Sequence, residues 1–96
     1  MSILHIIRNS AFESDDFRLC IQNAKKDDSV LLMDDGCYNL CHSLWQLLEN
    51  KVNNLYVIKE HAQARAVDSS NIKISTISIA DIFPLTFQSK TVITWQ

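Results

Sequence analysis

Glycine and proline each occur once in this 96-residue chain, as Gly36 and Pro84. A fold that cradles phosphate on a backbone loop needs several glycines for close approach, so their scarcity excludes a dinucleotide fingerprint or a P-loop. No apolar run approaches the ~20 residues that span a bilayer. The N-terminal MSILHII has no basic segment ahead of its short apolar run, unlike a secretory leader. The expectation is a cytoplasmic protein that neither crosses nor binds a membrane. Three cysteines, an odd number, suit a reducing compartment better than a disulfide framework. Cations are few as well. Nine Lys and Arg stand against 11 acids, a net charge of −2, and the one adjacent basic pair, Lys25 and Lys26, is followed at once by Asp27 and Asp28. Direct nucleic-acid binding needs clustered cations to displace phosphate counterions, and this pattern argues against it.

The composition that remains is globular, 47% hydrophobic, and its length allows one domain over residues 1–96 with one core. Short runs rich in Ile, Val and Leu read as strands at Ile3–Ile7, Val30–Met33, Leu55–Ile58, Ile72–Ile79 and Thr91–Trp95. The first three are almost continuously apolar, as strands covered on both faces are. The fourth alternates but slips phase at Ser75 and Thr76, which suits an edge strand or a bulge. Between them, helical periodicity predicts helices at Asp15–Lys26, Cys37–Asn50, Glu60–Val67 and Asp81–Gln88. Ser14 can cap the first, and Pro84 is tolerated because it falls in the first turn of the last. Alternating β and α units imply a single three-layer α/β/α domain around a mostly parallel five-stranded sheet, a flavodoxin-like variant. Ligands of such sheets bind at the carboxyl ends of the strands, here the loops after Ile7, Met33 and Ile58.

The stretch LLMDDGCYNLCHSLW, Leu31 to Trp45, is the chemically richest part of the chain. Cys37 opens a predicted helix whose dipole would lower a thiol pKa, but Asp34 and Asp35 beside it oppose a thiolate. On a 3.6-residue wheel Cys37 and Cys41 fall in an apolar arc with Leu44 and Leu48, opposite His42. Both therefore read as small core hydrophobes, and zinc, like any other metal, lacks a second ligand pair. Cys20 differs. It borders the stripe formed by Phe17, Ile21 and Ala24, a position open either to packing or to a partly accessible thiol. His5, inside an apolar strand, reads as a hydrogen-bonded core histidine. Arg8 reads as one half of an ion pair, with an anion contact as the alternative. Arg8 and Asn9 stand where a phosphorelay receiver carries magnesium-binding acids, and Asp15 and Asp16 crowd the helix start where a flavodoxin binds phosphate.

The second helix carries an apolar arc of about half its circumference, wider than the ~100° stripe that one sheet face needs. The surplus, Tyr38 and Trp45 on one flank and Leu40 and Leu47 on the other, has the composition of an interface core. Leu19 and Trp95 add to it, so the chain is expected to be oligomeric.

Several segments together resemble the TusB/DsrH family of sulfur-relay subunits. They are Leu4-His5, Ser10-Ala11-Phe12, Cys20, the run SVLLMDDGCY from Ser29 to Tyr38, Leu55-Tyr56-Val57, Ala64-Arg65, Asp81, Leu85-Thr86 and Trp95. The family often has proline where Ala11 stands and glycine where Ala66 stands. The resemblance implies a DsrE/DsrF/DsrH-like α/β subunit of a sulfurtransferase complex, and no cofactor or metal is expected. It implies two related small α/β partners in a dimer of heterotrimers and a sulfur-carrier protein as donor or acceptor; a homo-oligomer of the chain alone is left open by the sequence. Persulfide sulfur would pass toward 2-thiolation of tRNA wobble uridine or, in the other branch, toward intracellular sulfur oxidation. The main accepting cysteine usually belongs to a partner, making this chain an accessory subunit. Cys20 matches a cysteine of DsrH-like members and is the candidate sulfur carrier within the chain, while Cys37 and Cys41 match no family thiol.

Overall fold

The structure, a computed structural model, describes residues 2–70 and 72–95. Its strands are β1 (Ile3–Ile7), β2 (Ser29–Leu32), β3 (Asn54–Ile58), β4 (Ser75–Ile77) and β5 (Thr91–Trp95). Its α-helices are α1 (Asp16–Asn23), α2 (Trp45–Lys51), α3 (Lys59–Ala64) and α4 (Ile82–Gln88). The strands form one sheet in the order β4-β3-β2-β1-β5, every pair parallel. The mostly parallel sheet expected from the sequence is thus parallel throughout. No helix among the described residues is long and apolar enough to cross a membrane.

Crossover handedness fixes the layers. β1 to β4 step in one direction across the sheet, and right-handed connections then put α1, α2 and α3 on the same face. The return from β4 to β5 runs the opposite way, so α4 lies on the other face. The core divides accordingly. On the first face Ile7, Val30, Leu32, Leu55 and Val57 pack with Phe17, Cys20 and Ile21 of α1, Trp45 and Leu48 of α2, and Ala62 of α3. On the second, Leu4, Ile6, Leu31 and Ile58 pack with Leu85 of α4.

The expected helix Cys37–Asn50 is two elements. A 3-10 segment, Asp34–Cys41, comes first, and α2 begins only at Trp45. His42 is extended (φ −91°, ψ 147°), and its Nδ1 accepts the Leu44 N–H at 3.0 Å to restart the helix. At three residues per turn, side chains at i and i+3 line up. Asp35, Tyr38 and Cys41 therefore face solvent together, while Cys37 and Leu40 face the core. The 3.6-residue wheel had placed Cys41 inside; the tighter winding turns it out. Buried Asn39 pins the segment, its Oδ1 accepting the Ala11 N–H at 2.7 Å and its Nδ2 donating to the Asn9 carbonyl at 3.1 Å. Proline at residue 11 would have no N–H to give Asn39, so alanine there is matched to this contact.

Two other elements differ from expectation. β4 is three residues long, not Ile72–Ile79, because its register pairs only with Tyr56–Ile58 and a tight turn (Ile74 N to Ile72 O, 2.8 Å) precedes it. α1 starts one residue late, after Asp15, with Ser14 Oγ accepting the Asp16 N–H at 3.3 Å.

Candidate functional site

The carboxyl ends of β1, β2 and β3 bring together Arg8 and Asn9, Asp34 and Asp35, and, from α3 and the turn after it, His61 and Arg65. Arg8, Asn9, Asp34, Asp35 and Arg65 line an open polar cavity of about 250 Å³. Arg8 Nε donates to Asp34 Oδ2 at 2.9 Å, and Arg65 Nε donates to Asp35 Oδ1 at 2.9 Å. Arg65 also reaches the His61 carbonyl at 3.2 Å. The sequence reading of Arg8 as half of an ion pair is what the structure shows, and the pair includes an aspartate of the neighbouring strand's loop.

Asp34 is the strained member. Its φ of 51° is left-handed, a conformation costing a non-glycine residue on the order of 1 kcal/mol. It is held by its carboxylate on Arg8 and by its N–H, which donates to His61 Nδ1 at 2.9 Å. His61 therefore presents a lone pair at Nδ1. Two arginines and two aspartates leave the cluster balanced in formal charge. It offers recognition groups but no nucleophile.

The thiols lie elsewhere. Cys37 is fully buried under this cluster, and burial pushes its pKa up to about 11, with Arg65 lowering it less than burial raises it. Cys20 does not sit at an open border. α1 packs against β1, β5 and α2, which close both of its flanks, and Cys20 is 0% exposed. Burial, aided by the Asp28 charge, pushes its pKa up to about 12, with Lys51 opposing. A thiol of that pKa is protonated at neutral pH and cannot attack a persulfide in this conformation. Cys41 alone is exposed, so Cys37 and Cys41 do not present a shared pair of sulfurs to one ligand. An alkylating reagent added to the native protein is expected to label one thiol rapidly, at Cys41, and the other two only after unfolding. Peptide mass spectrometry reads this directly, and rapid labelling of Cys20 would contradict the burial described.

The apolar residues expected to meet a partner divide. Trp45 and Leu40 are packed within the chain, 6% and 7% exposed, because the 3-10 segment and α2 wrap them onto the core. Trp45 stacks on Phe17 and its Nε1 donates to Glu49 at 3.1 Å. Trp95 is half-buried, its Nε1 donating to His5 Nδ1. Leu19, Tyr38 and Leu47 are exposed. Sequence reasoning missed the most exposed aromatics, Phe83 and Phe87 of α4. The available signal was that IFPLTFQ, Ile82 to Gln88, carries no charge and places apolar residues on both sides of the helix.

Residues 9–92 match the protein family described as DsrH like protein. The chain belongs to the DsrH-like family. As a member it is a sulfur-relay-type subunit, and DsrH-family proteins act in complexes with other small subunits. The fold is similar to that of the ychN protein from E. coli, with a TM-score of 0.71 at 18% identity, covering 99% of this chain and 100% of that one. No curated protein matches it in sequence. In the DsrH-like chain the positions where the resemblance expected proline and glycine are now explained in part: Ala66 has a φ of 54°, a conformation that glycine adopts without cost.

Proposed function

We propose that this chain is an accessory, non-catalytic subunit of a cytoplasmic sulfur-relay complex that passes persulfide sulfur toward the 2-thio group of tRNA wobble uridine. The observation that carries the accessory role is the burial of Cys20 and Cys37 beneath closed packing, with the one exposed thiol, Cys41, outside the charged cavity at the carboxyl end of the sheet. A relay needs a thiolate that can reach another protein's persulfide. Here a partner subunit supplies it, and this chain supplies surface. The partners are two related small α/β chains in a dimer of heterotrimers, with a sulfur-carrier protein docking on the assembly. Leu19, Tyr38 and Leu47 on the outer helical face, with Trp95 at the sheet edge, are proposed contacts.

Co-expression with the neighbouring genes is expected to yield a stable complex by native mass spectrometry, and deletion of the gene is expected to lower 2-thiouridine in tRNA. A chain that never associates with those neighbours would remove the complex-subunit reading. The presence of Cys20, which the family resemblance assigns to DsrH-like members, favours a second reading, a subunit serving intracellular sulfur oxidation. Under that reading deletion leaves tRNA thiolation intact and impairs oxidation of reduced sulfur.

A further inference from the structure

The first and last strands are joined by more than their backbone ladder. His5, in the middle of β1, is 1% exposed and uses both of its ring nitrogens. Nε2 meets Asp28 Oδ2 at 3.0 Å. Nδ1 meets Trp95 Nε1 at 3.1 Å, across 90 positions of sequence, and the two rings stack 23° from parallel. An indole N–H can only donate, so Nδ1 accepts and the single ring proton lies on Nε2, toward the carboxylate. This bonding requires a neutral imidazole. Histidine is also the side chain that gains a proton between about pH 5 and 8.

A second ring proton would sit on Nδ1, donor against donor with the indole. The Asp28 carboxylate, in contact with the ring, favours that proton. The other elements around His5 add little charge. In register, β2 and β5 set uncharged Val30 and Ile93 beside it. α1 brings Cys20 within reach of the Asp28 charge, but its thiol, pushed up to about 12 mainly by burial, stays neutral. Lys51 of α2 is engaged by the Ile21 and Gln22 carbonyls. Lys25 and Lys90 line a cavity of about 230 Å³ with Asp28. On the opposite face of the sheet, α4 has no charged residue. One carboxylate therefore attracts the proton and one indole opposes it. These two partners differ in freedom. Asp28 is fixed by the Ile3 and Lys25 N–H groups, at 3.0 and 2.9 Å. Trp95 is half-buried on a strand with a neighbour on one side only. The indole is the group that can yield.

We propose that His5 and Trp95 form a proton-operated latch between β1 and β5, in which protonation of His5 in mild acid expels the indole from Nδ1 and releases Trp95 to solvent at the sheet edge. His5 keeps its Nε2–H bond to Asp28, now as an ion pair, and water accepts the new Nδ1–H. The freed indole N–H donates to water in turn. Proton binding favours the open arrangement because only there does the second ring N–H find an acceptor. Loss of that proton at higher pH restores the acceptor, and the latch closes. The latch belongs to the chain alone and does not rest on the sulfur-relay reading.

Nitrogen–proton NMR of the full chain tests it between about pH 8 and 5, the range over which histidine changes charge. The chain has two tryptophans. Trp45, whose Nε1 donates to Glu49 and not to a histidine, is the internal control. The Trp95 indole signal, assigned with Trp95→Phe, is expected to move to that of a water-exposed indole along the same curve as the His5 ring nitrogens. Its exchange with water should quicken at least about tenfold relative to that of Trp45. Trp95→Phe removes the opposing donor, so His5 should take up its proton at higher pH than in wild type. In His5→Asn the Trp95 signal should no longer follow pH. Should the buried His5→Asn fail to fold, the Trp95→Phe comparison decides alone. A His5 ring that charges while Trp95 stays in place overturns the proposal. So does a ring still neutral at the acid end of the range, a Trp95→Phe variant that protonates no earlier, or a Trp95 response that survives His5→Asn. Loss of the circular dichroism spectrum over the same range overturns it too, because the whole chain would then be unfolding.

Discussion

Gly36→Ala is expected to destabilise the protein by at least about 3 kcal/mol, a large share of the 5–15 kcal/mol that typically holds a domain together. The reason is space, not backbone angle, since Gly36 has no positive φ. A Cβ at this position would lie 2.1 Å from the Ile7 carbonyl oxygen and 2.8 Å from its carbon. Neither atom can yield as a flexible side chain would. Ile7 O accepts the Met33 N–H at 3.0 Å, and Gly36 N–H is shared between Arg8 O at 3.1 Å and Met33 O at 2.9 Å. The 3-10 segment is therefore pressed against the end of β1 by the same bonds that position Arg8 and Asp34. Making room by a shift of about 1 Å breaks those bonds and opens the charged cavity as well. Urea denaturation followed by circular dichroism measures the loss, and a change below 1 kcal/mol would show that the two backbones do not approach this closely. The reverse substitution at the left-handed alanine, Ala66→Gly, should be neutral or stabilising by up to about 1 kcal/mol.

That contrast shows what was legible in the sequence. The lone glycine stood out at once, and its turn chemistry was readable, but the contact requiring it comes from β1, 29 positions earlier in the chain at Ile7. The strands β1, β2 and β3 were readable because burial on both faces leaves an unbroken apolar run. β4 was overextended because alternation in Ile72–Ile79 reports one-sided burial and says nothing about how much partner strand is available. The segment from Asp34 to Cys41 was misread for a definite reason. Apolar residues at 37, 40, 41, 44 and 48 fit a continuous α-helix, while the bonds that tighten the winding come from Asn39 to the loop after β1. Cys20 was placed one step too far out because a wheel knows the sheet beneath a helix but not the strands and helices beside it. Phe83 and Phe87 were not legible as a surface because Ile82–Gln88 is apolar on both sides, so its periodicity does not tell which side meets the sheet.

Asp28→Asn is expected to cost about 2–3 kcal/mol at neutral pH, despite nearly unchanged volume. Asp28 and His5 are each 1% exposed. Asp28 Oδ1 accepts the Ile3 N–H at 3.0 Å, and Oδ2 accepts the Lys25 N–H at 2.9 Å and pairs with His5 Nε2 at 3.0 Å. Trp95 Nε1–H donates to His5 Nδ1 at 3.1 Å, so the ring proton sits on Nε2 and points at the carboxylate. An amide places N–H₂ where one oxygen stood, facing the Ile3 N–H at the Oδ1 position, or both the Lys25 N–H and the His5 Nε2–H at the Oδ2 position. Moving the histidine proton to Nδ1 relieves only the His5 contact, and does so by creating a clash with the Trp95 Nε1–H. The network thus has one satisfied arrangement, and it ties β1 to both the α1–β2 connection and the last strand. Burial alone would raise the Asp28 pKa, but hydrogen bonds from His5, Ile3 and Lys25 outweigh it and hold the group below its ordinary value of 3.8. The carboxylate's contribution is therefore fully present above pH 3.8 and is lost as the pH falls through the lower folded-state value. Urea titrations at pH 7 and down to pH 3 should show wild-type stability declining in acid and the Asn variant starting lower with less to lose at this site. In the Asp28→Asn background Trp95→Phe removes the opposing donor, so the two changes together should cost less than their sum; strict additivity would mean that His5 does not link them.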